Sequence, residues 1–385
     1  MANYFSSEFT LGILGGGQLG KMLLYETRKY DIKTKVLDSS AEAPCRISCD
    51  TFVQGDLMDY QTVYSFAQDV DLLTIEIEGV NVDAIEKLES EGLKVYPSSQ
   101  TLRNIQNKGV QKQFYTANEI PTSPFQLFDS LAELKNAVIS NKRVVPFVWK
   151  STTGGYDGKG VSIIRSAADL NALSEGECIA EDLIPFKNEL AVIVARSPKG
   201  EVLTYPVVEM EFHPEANQVE YVLCPARIDE EVAKKAREIA EKVSIAYGHV
   251  GLLAVEMFQT NDDDILVNEV APRPHNSGHY SIEASYTNQF EQHLRAILDL
   301  PLGKTDSKVG GIMVNLVGAE GFTGDVVYEN IEQIMAMDGV TPHIYGKKHT
   351  RPFRKMGHVT IVNKNLAEAR KIAEAVKNSI KVISK

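Results

Sequence analysis

Two glutamates, an asparagine, an arginine and two histidines stand close together late in this chain. Glu256 lies in Gly251-Leu252-Leu253-Ala254-Val255-Glu256-Met257-Phe258, and Glu269 in Leu266-Val267-Asn268-Glu269-Val270-Ala271-Pro272-Arg273-Pro274-His275-Asn276-Ser277-Gly278-His279. Both runs read as short buried strands, with a turn at Asn261-Asp262-Asp263-Asp264. If the turn is centred between Asp262 and Asp263, Glu256 and Glu269 fall opposite one another. Directly opposed residues of an antiparallel pair share a face, with Cβ atoms about 4.5–5.5 Å apart. Two such carboxylates repel unless something positive sits between them. Oxygen donors without sulfur favour a hard cation, and Mg²⁺ usually completes its octahedron with water and substrate phosphates. The pair therefore predicts a Mg-nucleotide site, against the plainer reading of two surface glutamates on an amphipathic hairpin.

Other chemistry is spread upstream. An apolar strand, 144–150, ends abruptly in Lys150, and Ser151-Thr152-Thr153-Gly154-Gly155-Tyr156-Asp157-Gly158-Lys159-Gly160-Val161 follows it. Strand, Gly-rich loop, strand is neither a Walker A motif nor a dinucleotide turn, and it suits a flap whose N–H groups close over phosphates. Glu181 ends another strand and could accept hydrogen bonds from a ribose or a base, or be merely solvated. Near the N-terminus, Gly15-Gly16-Gly17-Gln18-Leu19-Gly20 links a strand to the helical run 21–29, and Asp38 closes the next strand. That spacing matches a dinucleotide fingerprint, with phosphate at the helix N-terminus and an acid for ribose, so an NAD-dependent dehydrogenase competes. Glu76 and Glu78 follow the strand 71–75, where an open α/β sheet places its ligands; a solvated loop is the alternative. Late in the chain, the segment 346–358 holds Lys347, Lys348, Arg351, Arg354 and Lys355 and no acid. It predicts an anion site such as a substrate phosphate, or else a solvated basic loop.

The elements that position these residues divide the chain in three. Alternating strands and helices run to a boundary at residue 103. A polar helix over 104–118 carries Lys108 and Lys112. A helix over 130–140, the flap strands, a helix over 167–173, further strands and a long amphipathic helix over 229–247 lead to the hairpin and a helix over 289–298. After residue 301 comes a small mixed unit, with strands near 311–316 and 359–362 and a helix over 366–379. The 385 residues suffice for two or three domains, and 43% hydrophobic and 24% charged residues are ordinary for a globular protein. A formal charge of −12 argues against nucleic-acid and membrane-surface binding. Four cysteines without metal spacing and no long apolar run predict a cytoplasmic chain.

Taken in order, Lys150, Gly155-Tyr156-Asp157-Gly158-Lys159-Gly160, Glu181 and Glu256…Asn268-Glu269 resemble the ATP-grasp enzymes. With Gly12-Ile13-Leu14-Gly15-Gly16-Gly17-Gln18-Leu19-Gly20, Arg273-Pro274-His275-Asn276-Ser277-Gly278-His279 and Arg354-Lys355-Met356-Gly357-His358, the chain resembles the N5-carboxyaminoimidazole ribonucleotide synthase family from about residue 10 to 380. Lys159 stands where relatives often carry arginine, and residues 1–8 are a short extension.

The resemblance implies an α/β and α+β architecture. It comprises a Rossmann-like pre-ATP-grasp domain (1–103), an ATP-grasp domain (104–300, flap about 115–185) and a small C-terminal α/β domain (301–385). It implies ATP- and bicarbonate-dependent carboxylation of 5-aminoimidazole ribonucleotide through carboxyphosphate, in purine synthesis. It assigns ATP to Lys108, Lys150, Gly155, Tyr156, Asp157, Gly158, Lys159, Gly160, Val161, Glu181, Asp182, Leu183, Ile184, Glu189, His213, Asn268 and Glu269. Glu256 and Glu269 would hold one or two Mg²⁺ ions. Gln18, Leu19, Glu76, Arg351, Arg354 and Lys355 would meet the ribonucleotide. Arg273, His275 and Asn276, with Lys355, would handle bicarbonate and carboxyphosphate, and Asp157 is the candidate base for the substrate amine. A homodimer is implied. A formate-dependent glycinamide ribonucleotide transformylase shares the layout, and a non-catalytic nucleotide-binding protein would not require all of these residues together. The dehydrogenase reading explains nothing after residue 100.

Overall fold

The computed structural model describes residues 4, 5, 8–154, 160–214, 216 and 218–385. Strands and helices alternate first: β1 (Thr10–Leu14), α1 (Gln18–Lys29), β2 (Lys33–Asp38), β3 (Thr51–Gln54), α2 (Tyr60–Phe66), β4 (Leu72–Ile75), α3 (Val82–Ser90) and β5 (Lys94–Tyr96). They form a parallel sheet in the order β3-β2-β1-β4-β5. β1 and β4 are buried along their whole lengths, which places these apolar runs at the centre of a sheet covered on both faces.

The sequence predicts a single helix over 104–118; the structure has two. α4 (Ser99–Gln106) ends before Asn107, and α5 (Lys108–Ala117) begins after it. The Asn107 Oδ1 accepts the N–H groups of Gly109 and Val110 at 2.8 and 3.1 Å, so an N-cap interrupts the run. Lys108 thereby falls in a first helical turn.

A four-stranded antiparallel sheet follows, in the order β6-β9-β7-β8, from β6 (Phe125–Phe128), β7 (Phe147–Ser151), β8 (Val161–Ile164) and β9 (Cys178–Asp182), with α6 (Leu131–Ile139) packed on it. β7 starts at Phe147 rather than at 144, after Pro146, which has no N–H for a ladder. The helix expected over 167–173 is a 3₁₀ turn at Ala167–Ala172, closed by a Ser166–Asp169 capping box. The loop joining β7 to β8 contains residues 155–159, so Gly155, Tyr156, Asp157, Gly158 and Lys159 lie outside the described residues.

Next come β10 (Phe186–Arg196), β11 (Val202–Thr204), β12 (Val208–Phe212), β13 (Val219–Cys224), α7 (Glu230–Tyr247), β14 (Gly251–Thr260), β15 (Ile265–Ala271), α8 (Ser281–Ala284) and α9 (Gln289–Ile297). α7 buries Val232, Ala236, Ala240 and Val243, a stripe at helical spacing, against Leu190, Val192 and Val255. Gly248, at φ +59°, ends it in the left-handed conformation.

The tail holds β16 (Gly310–Val317), β17 (Gly324–Glu329), α10 (Ile331–Met335), β18 (Val340–Ile344), β19 (His349–Thr350), β20 (Lys355–Asn363), α11 (Leu366–Ser379) and β21 (Lys381–Ser384). Its main strands do not make a sheet of their own. One sheet runs β15-β14-β10-β12-β13-β16-β20-β18, so hydrogen bonds continue from the glutamate hairpin into the tail. The link is β13, a strand the sequence reading omitted. No described helix is long and apolar enough to cross a membrane.

Candidate functional site

The carboxylate hairpin has the expected pairing for a reason only half expected. Glu256 does face Glu269. Nearer the turn, however, Met257 pairs with Val267 and Gln259 with Ile265, so the ladder is centred on Asp262 and slips at Asn268. Asn268 is the extra residue of a β-bulge, a device that re-aims side chains beside functional sites.

Around Asn268 lies a cluster of lysines. Lys150 Nζ, at the end of β7, donates to Asn268 Oδ1 at 2.9 Å and lies 3.1 Å from Glu181 Oε1. Lys112 Nζ is 3.1 Å from Glu181 Oε2, with only 2% of the lysine side chain and 3% of the glutamate exposed. Glu181 is neither solvated nor unpaired, as the sequence left open. Burial alone would raise its pKa, but Lys150 and Lys112 outweigh that and hold it low. Burial also pulls Lys112 down to about 8, against the pull of Glu181. Lys112 was named with Lys108 from sequence but given no role, although it lies one turn beyond it on the same helical face. Lys108 Nζ sits 3.6 Å from Glu269 Oε2. On β10, Glu189 is raised to about 7 by burial and by Glu269. Gly160 and Val161 sit where the loop rejoins β8. Asp182 pairs with Arg143 at 2.8 Å, Leu183 is exposed, and Ile184 is half-buried.

Glu256 has a raised pKa, from burial first and then from Glu269 and Glu189, with the Lys355 and Arg273 charges opposing. Here burial and two like charges outweigh the positive charge of Lys355 and Arg273. Among the described residues no group of three or more His, Cys, Asp or Glu could hold a metal by itself. A glutamate pair in need of a cation, with other ligands left to phosphate and water, fits Mg²⁺ carried by a nucleotide.

Beyond β15, the His275 Nε2 approaches Glu256 Oε1 at 3.5 Å, and its Nδ1 takes the Ser277 N–H at 3.3 Å. Burial, then Arg273 and Lys355, push its pKa well below the usual value, so the ring is neutral. Asn276 and Asn315 exchange amide hydrogen bonds at 2.9 and 3.1 Å. Asn315, on β16, carried no signal in the sequence. Arg273 is gripped by Glu78, with Nε 2.9 Å from Oε1 and Nη2 3.0 Å from Oε2. Glu78 is thus no solvated loop residue.

The Gly-rich turn differs from the dinucleotide expectation. Asp38 Oδ2 accepts the Gly16 N–H at 2.7 Å, and Glu76 Oε1 accepts the Leu19 N–H at 3.1 Å. The backbone donors that would cradle a phosphate hold the protein's own carboxylates. A Cβ on Gly17 would stand 2.5 Å from Glu76 Oε1, so the glycines make room for this side chain. Burial raises Glu76 to about 7, against the charge of Arg273 and the Leu19 N–H. Gln18 begins α1 beside it.

The basic segment closes the site. Arg354 donates to the His349 carbonyl, and burial followed by Arg351 lowers its pKa; Arg351 itself is exposed. Lys347 Nζ reaches the Lys355 carbonyl at 2.8 Å within the segment, and Lys21 Nζ, on α1, reaches the carbonyl of Ile344 just before it at 2.9 Å. His213, assigned to ATP by resemblance, packs edge-on against Phe353 with centroids 5.9 Å apart. The structure places it beside the basic segment, where it lines a cavity of about 170 Å³ with Phe353 and Asn315.

Three family models cover these parts. A ribonucleotide synthetase preATP-grasp domain matches residues 9–106, an ATP-grasp domain 113–290, and a phosphoribosylaminoimidazole carboxylase C-terminal domain 311–372. The N5-carboxyaminoimidazole ribonucleotide synthase of Bacillus subtilis is 38% identical over 356 residues, 91% of each chain. The chain belongs to the N5-carboxyaminoimidazole ribonucleotide synthase family. The crystal structure of the family's enzyme from Thermotoga maritima is similar with a TM-score of 0.90 at 41% identity, covering 98% of this chain and 100% of that one. An Aspergillus clavatus member in complex with ADP and 5-aminoimidazole ribonucleotide is similar with a TM-score of 0.87 at 34% identity, covering 96% of this chain and 98% of that one. The ATP-grasp architecture and the ligase class expected from sequence hold.

Proposed function

We propose that the chain carboxylates 5-aminoimidazole ribonucleotide, using ATP and bicarbonate. The observation that carries this reading is the convergence of the Glu256/Glu269 pair, the Lys150–Glu181–Lys112 cluster, and Arg273 and His275 at the mouth of one hairpin. Phosphoryl transfer to bicarbonate is chiefly positioning and charge neutralisation. Lys150 and Lys108 orient the phosphates of ATP, with Asn268 and Glu181 holding Lys150 in place. Asp182, Leu183, Ile184 and Glu189 face the nucleoside. Glu256 and Glu269 would hold Mg²⁺, which when bound offsets charge on the transferred phosphoryl group.

Transfer of the γ-phosphoryl group to a bicarbonate oxygen yields ADP and carboxyphosphate. Arg273 meets the carboxyl and phosphoryl oxygens, and the neutral His275 donates a hydrogen bond through Nε2. The exocyclic amine of the ribonucleotide then forms the N–C bond, phosphate departs, and the amine proton passes to a base. Gln18, Leu19, Glu76, Arg351, Arg354 and Lys355 surround that ribonucleotide. Asp157, in the Gly-rich loop, is the proposed base. We place the protein in the cytoplasm as a homodimer.

ADP release tests the reading. Release with Mg-ATP and bicarbonate that rises on adding aminoimidazole ribonucleotide is the expected result. Response to formate and glycinamide ribonucleotide instead would transfer the protein to the sister reaction.

A further inference from the structure

Glu78 belongs to the N-terminal domain, yet its carboxylate is spent on an arginine 195 residues further along the chain. Nη2 donates a hydrogen bond to Oε2 at 3.0 Å, and Nε stands 2.9 Å from Oε1 as an ion pair without hydrogen-bond geometry, so the carboxylate restrains the guanidinium. Arg273 Nη1 also donates to the Pro274 carbonyl at 3.1 Å, which fixes the remaining edge of the fork. Both side chains are largely shielded, with 17% of Arg273 and 23% of Glu78 exposed.

The loop carrying Glu78 is itself held. Gln106 Nε2, on α4, donates to the carbonyls of Glu78 and Val80 at 2.7 and 2.9 Å. Two residues earlier, the same loop sends Glu76 into the Gly-rich turn, while Ile77 between them points to solvent. Successive acids of one short loop thus serve two places: Glu76 at the ribonucleotide side and Glu78 at Arg273. The charge of Arg273 acts on both sides, opposing the burial that raises Glu76 and Glu256 and adding to the burial that lowers His275.

We propose that Glu78 is the positioning residue for Arg273, and that its loop, shared with Glu76, sets that guanidinium in a fixed relation to the ribonucleotide beside Glu76. The proposal rests on the carboxylation reading, with Arg273 at the bicarbonate and carboxyphosphate. Its consequence is coupling. An arginine held in register with the acceptor amine keeps a hydrolytically fragile intermediate where that amine can capture it.

The test is kinetic, on Glu78→Gln and Glu78→Ala in the full chain, with ADP and carboxylated product measured in the same reactions. Misplacing a charged group by about 1 Å can cost on the order of a hundredfold in rate. The expected result is a KM for bicarbonate raised about tenfold or more and a kcat lowered ten- to a hundredfold. The KM for ATP should stay within about twofold, and ADP should be formed in excess of product. Glu78→Asp should recover part of the coupling. In an Arg273→Ala background, Glu78→Ala should add little, because both act through one group. Stoichiometric ADP and product with an unchanged KM for bicarbonate in Glu78→Gln would overturn the proposal. So would equal losses towards all three substrates with a lowered Tm, which mark a merely structural pair. Failure of the carboxylation reading shows itself differently, in wild-type protein that releases no ADP in response to bicarbonate, and it removes both.

Discussion

Glu269 faces Glu256 because Asn268 is an extra residue in its strand. The pairs Gln259–Ile265, Phe258–Leu266 and Met257–Val267 follow one register, and Glu256–Glu269 and Val255–Val270 follow another, displaced by one. Had the inner register continued, Glu256 would have met Asn268 and Glu269 would have turned to the opposite face. The bulge keeps the amide and the carboxylate on the same side, the one for Lys150 and the other for Lys108.

Deletion of Asn268 separates these roles. The ladder becomes regular with the two glutamates still opposed, while Lys150 loses its amide partner. Magnesium-dependent turnover should persist with a KM for ATP raised about tenfold, the effect of one lost charged hydrogen bond of about 1.5 kcal/mol. Initial rates across a magnesium series check this. Loss of magnesium dependence would place the cation elsewhere.

The buried cluster of Lys112, Glu181 and Lys150 should respond asymmetrically to substitution. Glu181→Gln strands two lysines with little water around them, a loss on the order of 3–5 kcal/mol. Combined with Lys112→Met, the same change should regain part of that stability, because one uncompensated charge has gone. Urea unfolding of the two variants measures the difference. A double variant no more stable than Glu181→Gln would refute the charge argument.

Two sets of groups set the pH response of the ligand-free protein. Glu76 and Glu189 are raised from 4.5 to about 7, and Glu256 is raised as well, so the folded chain holds protons here that the unfolded chain has released. Their protonation stabilises the fold below pH 7, and that stability is lost as pH rises through about 7. The buried imidazoles act oppositely. His249 falls from 6.5 to about 4 and His293 to about 3, while His275, His279 and His358 fall well below 6.5, so stability is lost as pH drops below 6.5. Thermal denaturation should give a maximum Tm near pH 6.5, and Glu189→Gln should flatten the alkaline side. Nucleotide with Mg²⁺ should bind more tightly as pH rises to about 8, releasing protons that calorimetry in two buffers would count.

Arg354→Ala should raise the KM for the ribonucleotide at least tenfold and leave that for ATP within about twofold, as expected when one charged contact to a phosphate is lost. Steady-state kinetics with each substrate varied in turn decides it. Equal effects on both constants would move the basic segment away from the ribonucleotide.

Much of this site was legible because its residues sit on strands with strong apolar patterns. The Lys150 strand, the Glu181 strand and the hairpin each announce themselves, and a strand fixes where its last residue points. The bulge at Asn268 was not legible, since the hydrophobic alternation on either side tolerates a one-residue slip. Asn107 resembles any polar helix residue until the chain bends and its carboxamide caps the next helix. Glu78 stood open between a ligand position and a solvated loop because its partner lies 195 residues away. Asp38 and the Gly-rich turn read as a dinucleotide site because the spacing records the βα turn and not what fills it. Here the carboxylates of Asp38 and Glu76 fill it.

The β13–β16 ladder bears on how such an enzyme can be divided. Chain separation near residue 300 looks harmless in sequence, where one unit ends and the next begins at residue 301. In space it would strip β13 of its neighbour, from Tyr221 to Cys224, and bare a row of unpaired backbone groups beside apolar side chains. A fragment ending there carries a sticky edge, prone to pairing with its own copies. Recombination between related ligases at this point therefore has to match strand to strand, and the tail is inherited with the catalytic sheet it completes.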